Sequence, residues 1–337
     1  MMLRLLPALI LATAALFAAE APAWQLRVER LVWVVSEPSG VISRWRELGL
    51  AETMPAQTLT PTLHYRGDPV KAKLRWQVAR FGDTIVDFVQ PLEGGNAFSA
   101  FHKQHKDGIL ALVHRVESLS ALEAEVARMK AAGVAVLQDY RVESAGGGAR
   151  MVLLDTEAEG KYALGLVATE GAQYPKALAP PPLKPDARKV TQYAFAVKDL
   201  GAVSAYWQKL GWPAMTVTNP DLLELTYRGK PARFAMQLGW YRHTKAPYEW
   251  ILSTQAPNVY EDHMKVHGEG IHHLALNVPD MDAATQEWAR KGYPVSQAGA
   301  WGDKGKPGSG RFAYLDTQRN GGIDIELLWN YRAPEAK

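Results

Sequence analysis

The stretch LTYRGKP, residues 225–231, repeats LHYRGDP, residues 63–69, at an offset of 162 residues. The same offset carries VERLVWVV (28–35) onto VTQYAFAV (190–197), and IVDFVQP (85–91) onto PYEWILS (247–253). It also carries GILALVHRV (108–116) onto GIHHLALNV (270–278), and LLDT (153–156) meets YLDT (314–317) at 161. One offset held over more than 100 residues marks a tandem duplication. Between the copies lies the proline-rich LAPPPLKPDARK (178–189), which reads as an extended linker. The expected layout is a first domain over 26–172, a linker over 173–188 and a second domain over 189–332.

Each half divides again. QYAFAV (192–197) has the β-branched and aromatic character of a strand, and Leu200, Val203, Trp207 and Leu210 then recur at helical spacing up to Gly211. LLELTYRGK, ARFAMQLGWY and EWILST follow as three strands separated by turn residues. The order restarts at HHLALNV, with a helix through MDAATQEWARKG that stops at Gly292, then YPVSQAG, GRFAYLD and GIDIELLWN. The sequence therefore predicts an α+β chain of four β-α-β-β-β modules, with curved, mainly antiparallel sheets covered by helices on one face.

Composition narrows the function. A net charge of +3 with scattered Lys and Arg gives no footprint for nucleic acid. With no cysteine, disulfides, thiolate metal sites, a Cys nucleophile and a lipoprotein anchor are all excluded. Residues 1–23 have the layout of a secretory signal: Arg4, an apolar run from Leu5 to Ala19, and small residues around Ala21-Pro22-Ala23. The competing reading of that segment is an uncleaved anchor. A cleaved signal implies a periplasmic or secreted protein without stable membrane insertion. The expected partner is a small-molecule substrate, and four modules per chain allow a monomer or a homodimer.

The segment GIHHLALNVPDMDAATQEWARKGY, followed by GRFAYLDTQRNGGIDIELL, resembles the vicinal oxygen chelate superfamily, which includes glyoxalase I, bleomycin-resistance proteins and extradiol dioxygenases. The resemblance extends over about residues 26–332 and is most specific in the last module. It implies that two modules pair into a cup, and that one divalent metal is held by a residue from the first and last strand of each module. In the second half those positions are Gln192, Glu249, His273 and Glu326. Each is a lone metal-competent side chain at the mouth of, or inside, an apolar strand. A buried carboxylate there needs a charge partner, and no Lys or Arg lies within four residues of Glu326. The competing readings are a strand-edge polar residue for Gln192 and a solvent-facing one for Glu249. Strand alternation sends neighbouring side chains to opposite faces, so His272 should pack against a helix or support His273 through a hydrogen bond.

The first half is an internal control. Its corresponding residues are Arg30, Asp87, Ala111 and either Leu164 or Gly165, a set with a fixed cation and too few donors. A metal-less domain is expected there, with Arg30 and Asp87 forming an ion pair in the vacant space. The ligand set is most similar to that of glyoxalase I. This implies zinc or nickel, with cobalt, manganese or iron as alternatives, and lyase or isomerase chemistry through a metal-stabilised enediolate. Glu326 or Glu249 would move the proton, with Glu326 preferred. An extracytoplasmic protein would not meet a glutathione adduct, so the substrate is left as a small carbonyl or hydroxy-carbonyl compound. The alternatives are a non-catalytic binder of the bleomycin-resistance type and an iron-dependent ring-cleaving dioxygenase, whose usual two histidines and one carboxylate are not matched here.

WGDKGKPGSGR (301–311) lacks the strand before and helix after that a phosphate loop requires. It is expected as a hairpin or lid beside the site, with Lys304, Lys306 or Arg311 as substrate contacts. His263 and His267, four apart, would share one face of a helix, and an exposed face is expected.

Overall fold

The computed structural model describes residues 22–144 and 147–331; the leader-like segment up to residue 21 lies outside them. Among the described residues no helix is long and apolar enough to cross a membrane. The first half runs β1 (Arg30–Val34), α1 (Pro38–Glu47), β2 (Ala51–Thr53), β3 (Gln57–Leu59), β4 (Thr62–Tyr65), β5 (Asp68–Lys71), β6 (Lys73–Phe81), β7 (Thr84–Glu93), α2 (Ala97–His105), β8 (Gly108–Arg115), α3 (Leu119–Ala131), β9 (Val136–Ser144), β10 (Gly147–Leu154), α4 (Glu157–Gly160) and β11 (Ala163–Thr169). The second runs β12 (Val190–Val197), α5 (Leu200–Lys209), β13 (Thr216–Thr218), β14 (Leu222–Tyr227), β15 (Lys230–Pro231), β16 (Ala235–Tyr241), β17 (Tyr248–Gln255), α6 (Val259–His267), β18 (Gly270–Asn277), α7 (Met281–Arg290), β19 (Val295–Trp301), β20 (Gly310–Leu315) and β21 (Asp324–Asn330).

Each half forms one curled sheet of the same order. In the second it is β13-β16-β17-β12-β18-β21-β20-β19-β14-β15. The module-opening strands β12 and β18 pair antiparallel at the centre, and each is flanked in parallel by the strand that closes its own module, β17 or β21. The expected α+β plan holds. LLELTYRGK is not a neighbour of ARFAMQLGWY. It forms the hairpin β14–β15, which leaves its own module and pairs with β19 of the other. The place beside β16 goes to the three-residue, exposed β13, too short to show a period of its own.

The repeated YRG marks that hairpin. Tyr65 pairs with Asp68 and Tyr227 with Lys230, so the loop is the two residues Arg-Gly in both copies. Both loop residues have positive φ (Arg66 52°, Gly67 94°; Arg228 48°, Gly229 73°), the geometry that suits the twist of a two-residue hairpin. Each arginine, held in a conformation unfavourable for a side-chain-bearing residue, is anchored by a carboxylate: Arg66 to Asp155 and Arg228 to Asp262, both at 2.8 Å.

The convex faces of the sheets, with α1, α3, α5 and α7, share one core that spans both halves and includes Trp33, Trp45, Phe195, Trp207 and Trp250. Trp33 Nε1 donates to the Gly321 carbonyl at 2.6 Å, and Trp207 Nε1 to the Gly160 carbonyl at 3.2 Å. His105 and His267, related by the repeat, bond reciprocally to each other's carbonyls through Nδ1, at 2.5 and 2.7 Å. A two-fold relation between equivalent residues follows. Each concave face lines its own separate cup.

Candidate metal centre

Period-2 alternation puts Gln192, Ala194 and Ala196 of β12 on the concave face. Across the sheet Ala194 lies opposite both Glu249 and His273, and Ala275 lies opposite both Gln192 and Glu326. The two alanines leave the space into which the four larger side chains converge from four adjacent strands. Glu249, His273 and Glu326 each offer a ligand atom, all within 4.8 Å of one another, and all three are buried. His273 Nε2 lies 3.3 Å from Glu326 Oε2 and 3.7 Å from Glu249 Oε2. The Gln192 amide donates to the same Glu249 oxygen. The structure thus brings all four expected residues together.

The chemistry of this set fits a cation. Neither His273 Nε2 nor Glu326 Oε2 has a hydrogen-bond partner. Burial, reinforced by the neighbouring Glu326, raises the Glu249 carboxyl well above its ordinary range, although the Gln192 amide opposes this. Two carboxylates buried side by side are costly without a compensating charge. Two ligands at right angles on one divalent ion sit about 3 Å apart for bonds of ~2.1 Å, close to the two distances to His273.

Gln192, Glu249 and Glu326 reach the wall of a cavity of about 620 Å³. Met236, Leu238, Phe312 and Leu328 give it an apolar side; Tyr260, Tyr314 and Arg242 add polar groups. The Tyr260 hydroxyl donates to that of Tyr314 at 2.9 Å, and Arg242 lies 4.0 Å over the Trp240 ring.

Several expectations need correction. Arg311 and Lys304 do not face the cavity. Alternation along β20 turns Phe312 and Tyr314 into the cup, while Arg311 reaches the other way to Asp282 at 2.8 Å. The Lys304 side chain is 93% exposed and 4.0 Å from Glu224, and Lys306 is also exposed and outside the cavity wall. The loop does lie beside the site, since Trp301 and Gly302 line the cavity. His263 is buried rather than exposed, and its ring stacks on His267 with centroids 4.8 Å apart. Helix α6 packs under the cup, which its sequence of charged residues conceals.

His272 does not turn away from His273, because the strand bulges there. Ala194 pairs with His273 and Phe195 with Ile271, so His272 is the extra residue. At a bulge the alternation breaks locally. Both rings contact Tyr314, and His272 Nδ1 lies 2.8 Å from His273 Nδ1. The expected support of His273 by a hydrogen bond is present.

Asp324, absent from the sequence-based set, lies beside His273 in register and is buried. Burial pushes its carboxyl up to about 8. The pattern Asp-Ile-Glu-Leu-Leu held the signal, since alternation puts Asp324 on the face of Glu326.

In the first cup Arg30 and Asp87 form the expected pair, with Nε to Oδ2 at 2.7 Å and Nη2 to Oδ1 at 2.6 Å, both fully buried. Register assigns Gly165, opposite Val113, as the counterpart of Glu326. The linker closes this cup: Leu178 is buried in its core and accepts from Arg30 at 3.1 Å, and Tyr174 stacks on the guanidinium at 4.6 Å.

Among solved structures, a triple mutant of 4-hydroxymandelate synthase from Streptomyces coelicolor is similar at 15% identity, covering 91% of this chain and 94% of that one, with a TM-score of 0.58. The Mn(II)-bound glyoxalase from Novosphingobium aromaticivorans matches at 14% identity over 91% of this chain and 83% of that one, with a TM-score of 0.48. At such identities the likeness concerns fold alone. A comparison with curated proteins finds no match. Residues 191–314 match the model of the Glyoxalase/Bleomycin resistance protein/Dioxygenase superfamily, a span that includes Gln192, Glu249 and His273. The second half of the chain is therefore similar to this family, the vicinal oxygen chelate superfamily.

Proposed function

We propose that the second domain is a metal-dependent lyase or isomerase of the glyoxalase type, acting on a small carbonyl or hydroxy-carbonyl substrate. Gln192, Glu249, His273 and Glu326 hold one divalent ion, zinc or nickel by their donor types, and the first domain holds none. The observation that carries this reading is the pair of partnerless buried atoms, His273 Nε2 and Glu326 Oε2, facing each other 3.3 Å apart beside a cavity of substrate size. A bound divalent ion supplies Lewis acidity, polarising a carbonyl and stabilising negative charge on its oxygen. Glu326 takes the proton from the adjacent carbon: its Oε2 is free of hydrogen bonds, whereas the corresponding oxygen of Glu249 is held by Gln192. The apolar wall formed by Met236, Leu238 and Phe312 keeps water from the reacting carbon. The leader-like segment supports a periplasmic or secreted protein, and four modules per chain support a cup complete within one monomer.

Elemental analysis of the purified protein tests this. About one zinc or nickel per chain is expected, lost in His273→Ala. Two ions per chain would sink the reading of the first domain. The family description also spans dioxygenases. Iron together with oxygen uptake would select that reading, and a metal-free protein would select a non-catalytic binder.

A further inference from the structure

We infer that His272 and Asp324 are positioning residues, which fix the tautomer of His273 so that its Nε2 is free to bind the metal. The inference rests on the metal-site reading above and adds two residues to it.

The geometry runs in one line. His273 Nε2 faces Glu249 and Glu326, and its Nδ1 lies 2.8 Å from His272 Nδ1. One of these two nitrogens must donate and the other accept. If His272 donates, the His273 hydrogen sits on Nε2, pointing at Glu326, and ligation is blocked. If His273 donates, its Nε2 lone pair is free, and the hydrogen of His272 is then on Nε2. That Nε2 lies 3.5 Å from Asp324 Oδ2, inside the core, where both side chains are almost fully buried. An acceptor oxygen at that point favours the second arrangement. A histidine ligand ordinarily gives its remaining N–H to a carboxylate or carbonyl. Here a second imidazole stands between, made possible by the bulge that puts consecutive side chains on one side of the strand. The Tyr260, His263 and Tyr314 rings, with centroids 5.0 to 5.7 Å away, hold the His272 ring in place.

The duplication gives independent support. The first sheet has the same bulge, where Val32 pairs with Ala111, Trp33 pairs with Ile109, and Leu110 is the extra residue. His272 corresponds to Leu110, His273 to Ala111 and Asp324 to Ala163, by sequence offset and by register. Where the ligand histidine is missing, both supporting residues are missing with it, while the backbone that carries them is unchanged.

The test compares wild type with His272→Leu, Asp324→Ala, His272→Asn and His273→Ala. The first two copy residues the other sheet already accommodates, and His272→Asn retains an acceptor close to the position of Nδ1. Zn²⁺ affinity is measured by chelator competition, and the ring nitrogens of His273 in the metal-free protein by ¹⁵N NMR at constant pH. The expected result is a roughly 10–100-fold loss of affinity in His272→Leu and Asp324→Ala. The His273 hydrogen should move off Nδ1 in both, with recovery in His272→Asn. The positioning role is overturned if His272→Leu binds Zn²⁺ as tightly as wild type with unchanged His273 shifts while His273→Ala loses it. It is equally overturned if His272→Asn and His272→Leu, both folded by circular dichroism, lose affinity equally. If His273→Ala itself binds as wild type does, the metal reading fails, and the positioning role with it.

Discussion

The sharpest test of the first cup is removal of Asp87. Its carboxylate takes two bonds from Arg30, at 2.7 and 2.6 Å, and a third from Trp76 Nε1 at 3.0 Å. Burial opposes the charge on Arg30, but Asp87 more than offsets it and holds the guanidinium firmly protonated. In Asp87→Ala the cation keeps the Leu178 carbonyl and the face of Tyr174 and loses its charge partner. Leaving a buried charge unpaired costs ~3–5 kcal/mol, and the orphaned indole N–H adds to the same deficit. Urea unfolding should therefore show a loss of about 4 kcal/mol. In Arg30→Met/Asp87→Leu no charge is left unpaired, and most of that loss should return. The coupling between the two sites, read from the cycle of Arg30→Met, Asp87→Leu and their double variant, should be about 3 kcal/mol. A loss below about 1 kcal/mol in Asp87→Ala would refute the reasoning, as would a double variant that simply adds the two single effects.

Two other outcomes follow from the fold. His114 is fully buried; its Nδ1 donates to the carbonyls of Trp24 and Arg27, both at 2.9 Å, and its Nε2 accepts from Tyr248 at 3.3 Å. Burial, the largest cause, lowers it from its ordinary 6.5 to about 4. The folded state thus resists a proton that the unfolded chain accepts, so the stability contribution is complete above pH 6.5 and declines as pH falls toward 4. At about 1.4 kcal/mol per unit the loss is roughly 3 kcal/mol, and unfolding at stepped pH should show a shallower decline in His114→Phe. Gly67→Ala and Gly229→Ala each put a side chain at positive φ in a hairpin tip, with nothing crowding the new methyl. Each should cost about 1–2 kcal/mol, and the two should add because they sit in different sheets; marked non-additivity would contradict two separate hairpins.

What the sequence made legible follows from strict periods. The family resemblance pointed to Gln192, Glu249, His273 and Glu326, and the residue pattern agrees with it, because each is a metal-competent side chain at the mouth of, or inside, an apolar strand. Strand alternation could not reveal the bulge at His272, since an inserted residue leaves no compositional trace and reverses the facing rule for one side chain. Arg311 and Phe312 must face opposite ways, and only one of them can enter the cup. The exchange of the β14–β15 hairpin between modules was hidden for a different reason. Residue pattern says that a segment is a strand, but which edge it joins depends on where the chain travels in space. His263 is buried although helix α6 is rich in charged residues, because packing against β18 covers one face of the helix.

The two halves together separate what the fold needs from what the chemistry needs. The polar groups required by the backbone occur in both: Gln138 and Gln297 accept from the first residue of α2 and α6, Asn96 and Asn258 cap those helices, and His105 and His267 tie the two sheets together. The polar groups of the second cup do not recur. Tyr260, His263, His272, His273, Tyr314, Asp324 and Glu326 are matched by Phe98, Phe101, Leu110, Ala111, Leu153, Ala163 and Gly165. The first sheet keeps the same strand order and the same bulge with that apolar set. None of the seven polar residues is therefore needed to shape the cup. Buried polar groups lower stability unless something compensates them. The domain that carries them keeps a cavity beside them, and the domain that lacks them has closed its cup with an ion pair and its own linker.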